Sequence, residues 1–216
     1  MKNFATRLIT LLCVFCLIFT FVSCQKDDNK KGKDEDVKGE EVTKDEWTAA
    51  FDLSNVENME IKITENFSEL DKENNEKYQE SLSIDAVYKN GTVSFEVTEK
   101  EDGETDYYGP YEEDVFGNTL WGIFDAIGDI SFSDLTEIVH PSIHTPPSLE
   151  SCSNFYSYFE YSEKEGYYSA IFETHDYDSI NLKIWFVNSK ISKMTLECSD
   201  SDSDYQYEMY SSCIFE

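Results

Sequence analysis

The chain has 216 residues, of which 45 are acidic and 17 basic, for a formal charge of −28. Nucleic acid, which rewards clustered Lys and Arg through counterion release, is set aside on that balance, as is direct docking on an anionic membrane surface or wall polymer. The acidity suits a secreted domain kept soluble by its charge, or a cationic partner, or loosely held Ca²⁺.

The N-terminal residues read as a secretory leader: Lys2 and Arg7 are positive, Leu8 to Val22 is an apolar run, and Ser23 precedes Cys24. A run of about fifteen residues falls short of the roughly 20 that a membrane span needs. The pattern Phe21-Val22-Ser23-Cys24 resembles the lipobox of bacterial lipoproteins, with Phe21 where leucine is commoner. That resemblance implies that the Cys24 thiol is acylated and that residues 1–23 are removed. An ordinary leader or an uncleaved anchor is the alternative. A lipidated Cys24 would hold the chain on the extracytoplasmic face of the cell membrane, since two or more acyl chains anchor stably.

Residues 24–42 carry charges of both signs and no aromatic residue, a composition that cannot offset its ordering entropy and reads as a tether. Residues 43–216 are enough for one domain with a substantial core. Thr43 and Glu46 have capping-box spacing, opening a short helix over 43–51 with Trp47, Ala50 and Phe51 as its apolar stripe. Met59, Ile61 and Ile63 then alternate with polar residues as a strand. Asn90-Gly91 is the preferred pair for a type I′ hairpin turn, and pairing about it sets Tyr88 opposite Val93, Ala86 opposite Phe95 and Ile84 opposite Val97, all on one face.

Leu120, Ile123, Phe124 and Ile127 lie at i, i+3, i+4 and i+7, the stripe of an amphipathic helix. A second short helix is expected to bury Leu135, Ile138 and Val139 before Pro141 stops it. Alternation returns at Phe155, Ser157, Phe159 and Tyr161, and after "SEKEG" at Tyr168, Ala170 and Phe172. It continues at Ile180, Leu182, Ile184 and Phe186, at Met194, Leu196 and Cys198, and at Tyr205, Tyr207 and Met209. The pattern predicts an α+β fold: a curved antiparallel β-meander of seven or eight strands, half-barrel-like, with a few short helices covering its apolar face.

That order of elements over residues 43–216, together with the lipobox, resembles the half-barrel lipoproteins of the LolA/LolB-like and LppX/LprG-like groups. The resemblance implies a hydrophobic cavity for acyl chains within the sheet, and carries no functional residue across. Aromatic side chains, which line apolar pockets and equally populate half-wet sheets, make up 15% of the chain. The cavity candidates are Trp47, Phe51, Phe95, Leu120, Phe124, Ile127 and Phe172.

Other chemistry is thinner. His140 and His144 are four apart, but Pro141 breaks the helix that would align them, and His175 sits in a turn-like stretch; no metal site is expected. Asp200, Asp202 and Asp204 match the first ligands of a calcium loop, yet Tyr205 stands at the turn-glycine position and Ser211 at the bidentate-glutamate position, so a solvated hairpin loop is expected. Of Cys152, Cys198 and Cys213, at most one pair can bridge, and Cys198 cannot reach Cys213 if the last two strands form a hairpin. The expectation is a non-enzymatic, cofactor-free binding module. It would hold an apolar or lipid ligand in the sheet's concavity, or, with a filled core, meet a protein partner through a surface such as Tyr156, Tyr158 and Tyr167.

Overall fold

A computed structural model describes residues 38–101, 103–128, 130–134, 156–172, 179–201 and 204–216. Helix α1 (Lys44–Ala50) precedes four strands: β1 (Asn58–Asp71), β2 (Glu76–Lys89), β3 (Thr92–Glu101) and β4 (Glu104–Asp114). Helices α2 (Leu120–Ile127) and α3 (Ser131–Asp134) follow, then β5 (Glu160–Ser162), β6 (Tyr167–Phe172), β7 (Ser179–Val187), β8 (Lys190–Ser201) and β9 (Tyr205–Phe215).

The nine strands form one antiparallel sheet in the order β4-β3-β2-β1-β9-β8-β7-β6-β5. It is an open, curved sheet made of two meanders, β1 to β4 and β5 to β9, joined where the first strand of one pairs with the last strand of the other. In that seam Ile61 lies opposite Phe215 and Ile63 opposite Cys213. The α+β curved meander read from the sequence is the fold observed, with two departures: β4, which the alternation does not show, and residues 156–158, read as strand, which form a 3₁₀ turn before the short β5.

Turn chemistry explains the tight hairpins. Asn90 and Gly91 take φ of 49° and 91°, the paired positive values of a type I′ turn, and the register that follows sets Tyr88, Ala86 and Ile84 opposite Val93, Phe95 and Val97. Asn188 and Ser189, at φ of 52° and 57°, repeat the device between β7 and β8. The β1–β2 turn is held by Asp71, whose carboxylate accepts from the backbone N–H of Glu73 (2.8 Å) and Asn74 (3.0 Å).

The period-two pattern divides the sheet into two faces. Ile61, Ile63, Ile84, Ala86, Val93, Phe95, Tyr168, Ala170, Leu182, Ile184, Met194, Leu196 and Cys213 fall on one face and are buried there. All three helices cover this face. α1 is capped as its sequence predicts: the Thr43 hydroxyl oxygen accepts from the Glu46 N–H at 3.3 Å and Glu46 Oε2 accepts from the Thr43 N–H at 2.8 Å. α2 is tied to the end of α1, with Leu120 N–H donating to the Phe51 carbonyl at 3.0 Å.

Residues 39–42 pack onto the domain. Glu40 N–H donates to the Phe186 carbonyl at 2.9 Å, Val42 is buried, and the Tyr168 hydroxyl lies 2.9 Å from both the Val42 nitrogen and its carbonyl oxygen. Gly39 crosses Gly166 so closely that a Cβ on Gly39 would lie 2.2 Å from the Gly166 carbonyl oxygen. Only glycine permits that approach. Among the described residues no helix is long and apolar enough to cross a membrane.

Candidate functional site

The residues singled out as cavity-forming are brought together. Trp47, Phe51, Phe95, Leu120, Phe124 and Ile127 all belong to one buried cluster beneath the helices. They reach it by packing on one another. Trp47, 1% exposed, sits among Phe51, Tyr156, Phe159, Tyr168 and Phe186 with ring centroids 4.9–5.6 Å apart. Phe124 stacks on Phe132 at 5.2 Å and meets Trp121 at 5.7 Å, while Phe51 stacks on Trp121 at 5.6 Å. Phe172 ends β6 opposite Ile180; its side chain lies outside what is described.

The core-facing row changes character toward the far end of β1. Glu65 follows Ile61 and Ile63 on the same face and is half-buried. It accepts from the Ser131 N–H at 3.0 Å and from the Ser131 hydroxyl, which also meets the Ser211 hydroxyl. This junction pins the start of α3 to β1 and β9. Burial raises the Glu65 carboxyl above the ordinary carboxylate range, with the serine bonds opposing. Burial, and secondarily the Glu65 charge, raises the neighbouring Cys213 thiol.

The opposite face is left uncovered by the described helices, and here the sheet forms a groove of about 1000 Å³. Register places its lining in rows across the strands. Ser81, Asn66, Tyr210, Glu197 and Asn181 are successive partners on β2, β1, β9, β8 and β7. Gln79, Ser68, Glu208, Ser199 and Ser179 make the next row, and Lys77 and Lys100 close the β2–β3 side.

Most of these are neutral amides and hydroxyls, in a chain carrying 45 acidic residues. The one carboxylate in the central row is engaged: Glu197 accepts from the Lys183 ammonium at 2.7 Å and the Asn181 amide at 3.1 Å. Four residues up β7 from Asn181 on the same face stands Trp185, about 13 Å away at strand rise. It is packed on Tyr167 at 4.9 Å, with the Lys193 ammonium 5.3 Å from its ring. The surface thus combines hydrogen-bonding side chains, balanced charge and a half-buried aromatic platform.

The tyrosines expected as a surface patch do not form one. Tyr156 packs its ring on Trp47 and donates to the Val42 carbonyl at 3.2 Å, and Tyr167 packs on Trp185. Both are drawn in by aromatic neighbours from other elements, which sequence spacing does not reveal. Cys198 lies opposite Met209 and Cys213 opposite Met194, so the hairpin keeps the two apart as expected. β8 runs to Ser201 and β9 from Tyr205, with Ser201 paired to Gln206, and the Asp204 carbonyl accepts from Lys72 N–H at 2.8 Å. Cys24, Leu135, Ile138, Val139, His140, His144, Cys152, Phe155, His175 and Asp202 lie outside the described residues. Among the described residues no three His, Cys, Asp or Glu side chains are grouped to hold a metal ion.

No protein-family model matches the chain, and no curated protein matches it in sequence.

Proposed function

We propose that the chain is a lipid-anchored, extracytoplasmic binding module, attached through Cys24, that takes its ligand on the open face of the sheet by binding and not by catalysis. The observation that carries this reading is the groove floored by Ser81, Asn66, Tyr210, Glu197 and Asn181. Its chemistry selects the ligand class. Amides and hydroxyls satisfy a hydrogen-bonding ligand, and the overall charge of −28 disfavours an anionic one. A neutral polyhydroxylated chain, a glycan segment, suits both, with Trp185 and Tyr167 offering apolar faces to sugar rings.

An apolar ligand held between sheet and helices would have to displace Phe124 and Phe132, both without exposed surface. Their space would be emptied at the cost of lost core packing.

Calorimetric titration of the full-length protein in nanodiscs with the neutral tetramer of N-acetylglucosamine tests the reading. Saturable heat is expected, with loss of most affinity in Asn181→Ala and Tyr210→Ala. Absence of heat, or heat that both variants leave unchanged, would refute the groove as a glycan site.

A further inference from the structure

A second surface, independent of the groove, stands at the edge of the sheet. Among the described residues β4 pairs with β3 alone, and all eleven of its residues are exposed. In an antiparallel ladder alternate residues turn their N–H and C=O groups away from the partner, so β4 presents a row of backbone groups open to a further strand. The side chains around that row are unusual in two ways.

The first is apolar. Tyr107, Tyr108, Tyr111 and Phe116 account for four of the nine large apolar side chains exposed among the described residues, and Tyr107 and Phe116 are 78% and 76% exposed. Tyr107 lies opposite Thr98 on the open face, whereas Tyr108 and Tyr111 lie opposite Val97 and Phe95 on the core face. An added strand would therefore find aromatic side chains above and below it.

The second is charge. Glu104, Asp106, Glu112, Glu113 and Asp114 make β4 acidic, with no basic residue, and facing β3 adds Glu96, Glu99 and Glu101 against Lys100. Two copies of this edge would bring five carboxylates against five, so pairing with itself is opposed. A cationic strand meets the reverse situation, since its ammonium or guanidinium groups are attracted by the carboxylates and by the tyrosine faces. Pro110 has no N–H to donate, which divides the edge into two short runs, 104–108 and 111–114.

We propose that β4 is a strand-addition site for an extended, lysine- or arginine-rich segment of another protein, paired to its backbone on either side of Pro110. The probe is a fluorescein-labelled peptide, Lys-Val-Lys-Tyr-Lys-Val-Lys, titrated by anisotropy onto the full-length protein in nanodiscs. Two further peptides carry N-methyl groups on alternate backbone nitrogens, one set for each edge of the peptide strand. They keep the charge and leave the protein untouched.

Saturable binding is expected. It should weaken roughly tenfold or more with one N-methylated peptide and stay near its original strength with the other, since several hydrogen bonds are lost along one edge only. The Asp106→Lys, Glu112→Lys double variant should weaken it comparably, and bound peptide should slow amide exchange within 104–108 and 111–114. No binding, equal binding by all three peptides, protection confined to other strands, or a β4-mediated dimer of the protein in sedimentation would each overturn the proposal.

Discussion

Phe124→Ala is the perturbation that most directly tests how the helices close the core face. The side chain has no exposed surface, and its ring packs on Phe132 at 5.2 Å, Trp121 at 5.7 Å and Phe215 at 6.4 Å. Truncating a buried phenylalanine costs about 3–5 kcal/mol, the larger values where the surroundings cannot collapse. Here the neighbours belong to α2, α3 and β9, and α3 is pinned by the Ser131 bonds to Glu65, so closure of the void needs movement of several elements. With a loss of about 4 kcal/mol and about 2–4 °C per kcal/mol for a domain of this size, the melting temperature should fall by roughly 8–16 °C. Thermal unfolding by circular dichroism reads this shift, and a urea titration checks that the slope is unchanged and the loss is one of stability. A fall under about 3 °C, well below what a close-packed ring must give, would refute the packing argument and show that the space beneath α2 can be emptied cheaply, as a ligand cavity requires.

The Glu65 carboxyl has a folded-state pKa above its unfolded value, so its contribution to stability is complete below the ordinary carboxylate range and is lost as pH rises through the raised value. Comparing Glu65→Gln with the parent should therefore show no difference near pH 4 and a higher melting temperature for the variant at neutral pH. A variant less stable at neutral pH would contradict the burial cause. Cys213 is fully buried with its thiol pushed up, so alkylation mapped by mass spectrometry should leave it unmodified in native protein and label it after unfolding. Labelling under native conditions would show that the β8–β9 end of the core opens. Thr43→Ala removes the capping box of α1 and should cost about 0.5–2 kcal/mol by urea titration; no change would mean that the packing of Trp47 alone holds the helix.

The register of the β2–β3 hairpin was legible residue by residue because two independent signals, the Asn90-Gly91 turn and the apolar alternation on either side, agree. Helix α1 was legible because cap and stripe coincide, and α2 from its i, i+3, i+4, i+7 stripe alone. The pairing of β1 with β9 was not, because residues at opposite ends of the domain share a seam that no local pattern specifies. β4 is not legible in the sequence because both its faces are wet and Gly109-Pro110 interrupts it, leaving no alternation. The groove is not legible in the alternation that marks the core: Met59, Ile61 and Ile63 define the buried face of β1, whereas Asn66 and Ser68 further along the strand belong to its wet face. The signal was nonetheless present. In so acidic a chain, wet-face positions filled by Asn66, Ser68, Gln79, Ser81, Ser179, Asn181 and Tyr210 depart from what solubility alone would supply.

The measurement that tests the central claim most directly is two-dimensional amide NMR of the protein titrated in parallel with the N-acetylglucosamine tetramer and with a short-chain phospholipid below its micelle concentration. Binding on the open face predicts saturable shifts from the tetramer at Asn66, Ser81, Asn181 and Tyr210, with the lipid leaving the signals of Ile123, Phe124 and Ile127 in place. Saturable lipid shifts centred on Phe124 and Ile127, with the groove residues silent to the sugar, would contradict it and move the binding site to the core face.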